Sequence, residues 1–207
     1  MTGVDSKRRD SARLDPARLD RARLDRARLD SARLDSTHLG PERLESARQI
    51  ASSVPDPELP MLTLADLGII REISAEEDRV VVSVTPTYSG CPAMAEIRAD
   101  ICHQLAAAGF SGVEVRTVLS PPWSTDWITD AGRRKLAAAG IAPPGAAPRR
   151  NATGPVPLTL TTPPALVTCP ACGSDDTQRT AAFSATACKD LYRCRACAEP
   201  FEHVKEI

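Results

Sequence analysis

The stretch RVVVSVTPTYSGCPAMAEIRADICHQLAAAG, residues 79–109, decides the fold. Its first part is β-branched and alternates: Val80, Val82 and Val84 share one face of a strand, and Val81, Ser83 and Thr85 share the other. The chain then crosses a loop, Thr85-Pro86-Thr87-Tyr88-Ser89-Gly90-Cys91-Pro92. From there Met94, Ile97, Ile101, Leu105 and Ala108 keep helical spacing up to the stop at Gly109. One uninterrupted run therefore holds a strand, a loop and an amphipathic helix.

Working outward, Ile69–Ile73 and Arg79–Thr85 flank the acidic turn Glu76-Glu77-Asp78 and read as a hairpin. Upstream, Val54-Pro55-Asp56-Pro57-Glu58-Leu59-Pro60 permits only extended or turning backbone. A short helix is predicted before it, from Ser46 to Ser53, and a short segment, Leu62–Asp66, after it. Downstream lie a third strand, Val113–Val118, a break at Pro121-Pro122-Trp123-Ser124-Thr125-Asp126-Trp127, and a helix over Thr129–Ala139. The order α-β-β-α-β-α predicts a small α+β domain over residues 46–142, its helices packed on one sheet.

The flanks differ in texture. Residues 1–45 are a pentad repeat with Leu at 14, 19, 24, 29, 34, 39 and 44. A five-residue step turns each Leu by roughly 140° on a helix, so the leucines form no single stripe. This segment is expected to be a disordered or partly helical tail without a function of its own. Residues 143–165 are rich in proline and read as a stiff, extended linker. Residues 166–207 form a module too small to be held by apolar burial alone, and so need a staple.

Composition narrows the function. Of 207 residues, 42% are apolar, which supports a packed core, whereas 3% are aromatic, too few for a platform that stacks bases. Residues 1–50 hold 12 basic and 9 acidic groups, residues 51–142 hold 7 and 12, and residues 143–207 hold 7 and 6. No segment carries the basic excess of a nucleic-acid footprint. No apolar run long enough to span a bilayer is present, and no apolar stretch follows the basic residues of MTGVDSKRRDSARLD. A cytoplasmic location is therefore expected, where seven cysteines are better read as metal ligands or reactive thiols than as disulfides.

The staple is Cys169-Pro170-Ala171-Cys172 followed, after a long insert, by Cys194-Arg195-Ala196-Cys197. Two such knuckles aim four thiolates at one point and complete a tetrahedral site with no open position, structural and not catalytic. Zn²⁺ is the expected ion, and iron uses the same ligands. Cys188 lies outside the pairs and reads as a plain thiol, with an added ligand or redox role as the alternative. Cys102 reads as core.

Cys91 precedes Pro92, a residue favoured at the first position of a helix, which predicts Cys91 at the N-cap. There the helix dipole and orphan N–H groups would favour a thiolate, for reactivity or metal contact. Asp56 and Glu58, in the proline-framed loop, either join Cys91 in a mixed oxygen and sulfur site or simply form a turn. Trp123 and Trp127 either make a docking patch for a partner or roof the sheet. The chain lacks a phosphate loop, a dinucleotide fingerprint, a nucleophile elbow and a Glu-x-x-His pair. These absences argue against an autonomous enzyme.

The stretches DPELPMLTLADLG (56–68), TPTYSGCPAM (85–94), PPWSTDW (121–127), CPACGS (169–174) and TACKDLYRCRACAEPF (186–201) resemble the PaaD family, accessory proteins of the bacterial phenylacetyl-CoA epoxidase system. Residues 51–140 are also similar to the small iron–sulfur-assembly domain found in SufT. The resemblance implies that Cys91, with Asp56 and Glu58, handles a metal or a transient iron–sulfur cluster. It implies as partners the oxygenase and reductase subunits of the epoxidase and the iron–sulfur assembly machinery, in phenylacetate breakdown. The leading expectation is thus a non-catalytic maturation factor. The competing ones are a structural subunit of the epoxidase and a zinc-ribbon nucleic-acid binder, the latter disfavoured by charge.

Overall fold

Apolar periodicity and turn chemistry place most element boundaries within a residue or two of those read from the sequence. A computed structural model describes residues 39–88, 90–147 and 166–207. The elements are α1 (Pro41–Ser53), β1 (Ile70–Glu76), β2 (Arg79–Val84), α2 (Met94–Ala107), β3 (Val113–Thr117), a 3₁₀ turn (Thr125–Trp127), α3 (Asp130–Ala138), β4 (Ile141–Ala142), β5 (Thr177–Ala181), β6 (Lys189–Cys194) and β7 (Pro200–Val204). The α+β class holds. The expected tail lies, up to residue 38, outside the described residues, as does the expected linker from 148 to 165.

Helix α1 starts at Pro41 and not at Ser46, within the last degraded pentad. Gly40 is its N-cap, Pro41 supplies a fixed φ where no intrahelical N–H bond is needed, and Glu42 complements the dipole. Strands β1 and β2 pair antiparallel and β3 joins β2 in parallel, giving a three-stranded sheet of order β1-β2-β3. As the central strand, β2 buries Val80, Val81, Val82 and Val84, so both its faces are covered. Ala47 and Ala51 of α1 and Ile97, Ile101 and Leu105 of α2 complete this core. Each fully buried aliphatic side chain stabilises by about 1.5–3 kcal/mol.

The segment Thr63–Gly68 is built by reciprocal capping. Thr63 N and Oγ1 both donate to Asp66 Oδ2, at 3.0 Å each, while Asp66 N donates to Thr63 Oγ1 at 3.1 Å. Lys135 Nζ of α3 reaches the same carboxylate oxygen at 2.6 Å. Gly68 follows with φ +65°, and a Cβ there would meet Trp127 Cβ and O at 2.8 Å. Only glycine permits both the left-handed turn and that approach.

The second sheet has the order β4-β7-β6-β5. Its strand β4 comes from residues expected to end the first domain: Ile141 and Ala142 pair in parallel with Glu202 and His203 of β7. Ala142 is buried with Val167, Cys169, Tyr192, Cys194 and Phe201 in the core of the C-terminal module. The apolar pair between Gly140 and Pro143 is too short to read as a strand; it extends because an open edge of β7 is there to receive it. Segment 143–147 is held as well, since Gly145 N donates to Glu206 Oε1 at 3.1 Å and Ala147 N to Asp126 Oδ1 at 3.0 Å. Among the described residues no helix is long and apolar enough to cross a membrane.

Candidate functional site

Two sites emerge, one closed and one open. The closed site is the four-cysteine knuckle pair. Cys169 N donates to Ser174 O at 2.9 Å and Gly173 N to Cys169 O at 2.9 Å, folding the first knuckle, with Gly173 in the left-handed region. In the second, Cys194 N donates to Glu199 O at 2.9 Å and Cys197 N points at Cys194 Sγ at 3.5 Å. Cys169 Sγ lies 3.8 Å from Cys197 Sγ, and Cys172 Sγ lies 3.6 Å from Cys194 Sγ. All four sulfurs lie within 4.8 Å of one another. A tetrahedral ion with metal–sulfur bonds of about 2.3 Å requires edges of about 3.8 Å, so the donor set fits a thiolate-bound metal. The N–H of Cys197 favours the Cys194 thiolate and brings it down to about 7. Cys172, although its sulfur accepts from Ser174 N–H, is pushed up to about 12 by the neighbouring sulfurs. Four adjacent thiols cannot all ionise unless a cation replaces their protons.

The open site is a cavity of about 30 Å³ lined by Asp56, Glu58, Thr87, Cys91 and Cys188 among apolar side chains that include Leu59, Met94 and Trp123. Since roughly 10–15 Å³ suffices for one water, it admits one or two bodies of that size. The proline-framed loop supplies its acids. Asp56 N donates to Leu62 O at 2.9 Å, which closes the loop, and Asp56 Oδ1 accepts from Glu58 N at 2.9 Å and Leu59 N at 2.8 Å. Asp56 therefore makes the turn and also lines the cavity that Cys91 reaches.

Cys91 reaches the same cavity, but not from an N-cap. Helix α2 begins at Met94 with Ala93 as its N-cap, while Cys91 and Pro92 belong to a preceding turn in which Cys91 N donates to Tyr88 O. The expected thiolate is corrected too. Burial pushes the Cys91 thiol above its ordinary value; the N–H of Ala93 favours the anion but is outweighed, and the charges of Glu58, Asp56 and Cys188 add to the rise. Desolvation likewise raises Asp56 and Glu58. Burial thus disfavours the charged form of each of these three groups.

Cys188 is the residue that sequence reasoning left outside this site. It lies in the turn before β6, fixed by Lys205 N donating to Cys188 O at 3.0 Å and by its sulfur lying 3.1 Å from Thr186 Oγ1. No local signal marks it, because its neighbours in space come from the other end of the chain. Trp123 is buried and donates from Nε1 to Leu67 O at 2.8 Å, so it roofs the cavity and offers no docking surface. Trp127 is half-buried, with the Arg71 guanidinium 3.8 Å above its ring.

Residues 47–119 match the family model for iron–sulfur cluster assembly proteins, and residues 153–205 match the PaaD zinc beta ribbon domain. The chain is 38% identical over 169 residues to a protein of Escherichia coli K12 assigned as one of the subunits of 1,2-phenylacetyl-CoA epoxidase, covering 82% of this chain and 96% of that one. Among solved structures, the crystal structure of a DUF59 domain of unknown function from Bacillus anthracis is 27% identical, covers 45% of this chain and 90% of its own, and has a TM-score of 0.42. A solution structure from Mycobacterium tuberculosis, of a protein associated with [Fe-S] complex assembly and repair, is 28% identical over 48% of this chain and 87% of its own, with a TM-score of 0.28.

Proposed function

The chain belongs to the PaaD family of phenylacetyl-CoA epoxidase components, and on that premise we propose that it is a cytoplasmic, non-catalytic accessory factor that helps mature the iron or iron–sulfur centres of the epoxidase. Its partners in this reading are the oxygenase and reductase subunits and the machinery that builds clusters. The observation that carries the proposal is the convergence of Cys91, Cys188, Asp56 and Glu58 on one small apolar-walled cavity, next to a separate, closed four-cysteine site.

The two sites divide the work. The ribbon cysteines Cys169, Cys172, Cys194 and Cys197 hold zinc, which supplies a structural brace with no open position. That brace orders the sheet to which β4 is annealed and so presents the Cys188 turn to Cys91. At the cavity Asp56 fixes the loop through two N–H bonds and Glu58 stands beside the thiols. A protonated, half-buried thiol is a poorer target for oxidation than a thiolate and exchanges its proton for metal cargo on loading. A few ligands of mixed type hold such cargo loosely enough to pass it on.

The nucleic-acid alternative gains little from the described arginines of the ribbon. Beside the ribbon, Arg179 faces Asp190 at 3.9 Å, Arg195 faces Asp176 at 3.7 Å, and Arg193 donates to Ala198 O. The proposal is tested by complementation. In cells lacking this chain, wild type is expected to restore epoxidation of phenylacetyl-CoA and Cys91→Ser is not. Full restoration by Cys91→Ser would remove the role.

A further inference from the structure

We infer that the C-terminal ribbon is a lid over Cys91, and that its closure depends on the metal held by the four ribbon cysteines. With that site filled the lid is shut; without it Cys91 lies open. The inference goes beyond the maturation reading and stands on the geometry of the lid alone.

Four observations carry it. First, the largely apolar cavity at Cys91 takes its walls from two parts of the chain: Leu59, Met94 and Trp123 come from the assembly-type domain, whereas Cys188, Val204 and Ile207 come from the ribbon. Second, the ribbon's share of the wall sits at the far end of strands anchored at a knuckle. β6 runs from Lys189, next to Cys188, to the ligand Cys194, and β7 starts at Pro200, just past the ligand Cys197, and ends at Val204. The two strands pair from Lys189 and Val204 at the cavity end to Arg193 and Pro200 at the knuckle end. At about 3.3 Å per residue the ladder spans about 17 Å, so a knuckle that falls open frays the same two strands that close the cavity.

Third, the ribbon core is small. It consists of Ala142, Val167, Cys169, Tyr192, Cys194 and Phe201, of which two are ligands and one, Ala142, comes from the neighbouring domain. So little apolar burial does not hold a sheet without its metal. Fourth, the ties that keep the lid down end on this same sheet and its C-terminal extension. Ile141 and Ala142 pair with Glu202 and His203, Gly145 N donates to Glu206 Oε1 at 3.1 Å, and Thr125 N donates to Ile207 O at 3.1 Å. Loss of order in the ribbon releases them together, as one cooperative opening.

The assembly-type domain does not share this dependence. Its own core, with Val80 and Val82 of β2 against Ile97, Ile101 and Leu105 of α2, contains no ribbon residue. Opening is therefore local, and the metal state of the ribbon decides whether a partner or a small reagent can reach Cys91.

The test uses the full chain under anaerobic, reducing conditions, with its ribbon zinc in place or stripped by a chelator. Iodoacetamide labelling of each cysteine is followed by peptide mass. Stripping is expected to speed labelling of Cys91 at least about tenfold and that of Cys102, a half-buried thiol of α2 outside the cavity, no more than about twofold. Zinc added back is expected to restore the slow rate. Cys172→Ser, which breaks a knuckle without a chelator, is expected to show the fast Cys91 rate from the outset; this separates the lid from any metal held at Cys91 itself. An unchanged Cys91 rate in stripped wild type or in Cys172→Ser, or failure of added zinc to slow it, would overturn the inference. So would equal acceleration of Cys91 and Cys102, since the whole chain would then be unfolding. Zinc-dependent shielding of Cys91 in a protein whose Cys91→Ser variant still restores epoxidation would remove the maturation role and leave the lid standing.

Discussion

Thr125 and Ile207, 82 positions apart, hold one another through backbone and side chain: Thr125 N donates to Ile207 O at 3.1 Å, and Ile207 N reaches Thr125 Oγ1 at 3.4 Å. Thr125 is fully buried in the 3₁₀ turn that follows the roofing Trp123, and Ile207 lines the Cys91 cavity. Arg133 Nη2 adds a bond to Thr125 O at 2.8 Å. The clasp joins the strand pairing of β4 and β7 as a second tie between the assembly-type domain and the ribbon.

Thr125→Val keeps the shape and removes the hydroxyl. Loss of that buried partner is expected to cost about 1 kcal/mol. Urea unfolding would read it as a lower midpoint, and hydrogen exchange as faster exchange at Ile207. An unchanged midpoint would show that the clasp contributes nothing.

The same seam carries a pH dependence. His203 is buried, with Nδ1 2.9 Å from Asp190 Oδ1 and Nε2 3.4 Å from Glu206 Oε1. Burial disfavours its charge, but the bonds to Glu206 and Asp190 outweigh it and raise the imidazole above its ordinary value of 6.5. The bond to His203 in turn holds Glu206 down at about 2. A raised histidine stabilises fully below about 6.5 and loses that contribution as pH climbs through its folded value; a depressed glutamate stabilises above about 4.5 and loses it as pH falls to about 2. Stability from this group is therefore greatest between those two ordinary values and declines on the alkaline side. In Glu206→Gln the decline of the urea midpoint between pH about 6 and about 8.5 should be shallower than in wild type.

Gly68→Ala is expected to be strongly destabilising. The left-handed φ and the 2.8 Å approach to Trp127 are both intolerant of a methyl group, and strain of this kind costs about 1–3 kcal/mol before any movement of the tryptophan segment. Thermal melting checks it. A change within a few tenths of a kcal/mol would mean that the Trp127 turn yields freely.

Cys91 should react slowly with iodoacetamide at neutral pH and faster as pH rises, since only the thiolate attacks. Burial is the main reason it keeps its proton, the charges of Glu58, Asp56 and Cys188 add to that, and Lys189 is the cation that lowers Asp56 and Glu58. Glu58→Gln should therefore speed the alkylation of Cys91, and a slower reaction would contradict this account of the cavity.

The three-stranded sheet and its helices were legible because β2 and α2 have clean periods of two and 3.6, and the knuckles because Cys-x-x-Cys spacing is itself the geometry of the ligand set. What local pattern cannot show is pairing between distant segments. Ile141-Ala142 has no strand signal of its own, and Cys188 has no motif. Pro92 pointed to an N-cap at Cys91, yet the helix starts at Met94, because the residues before it form a turn closed by Tyr88 O. Burial then reversed the expected charge of the thiol, an outcome fixed by what folds over Cys91 and not by its neighbours in sequence.

The measurement that tests the central claim most directly is the iron content of the epoxidase oxygenase and reductase purified from cells in which this chain carries Cys91→Ser. The account predicts that at least one of them arrives with much less iron than from wild-type cells, with its polypeptide present at normal level. Full iron in both would contradict it.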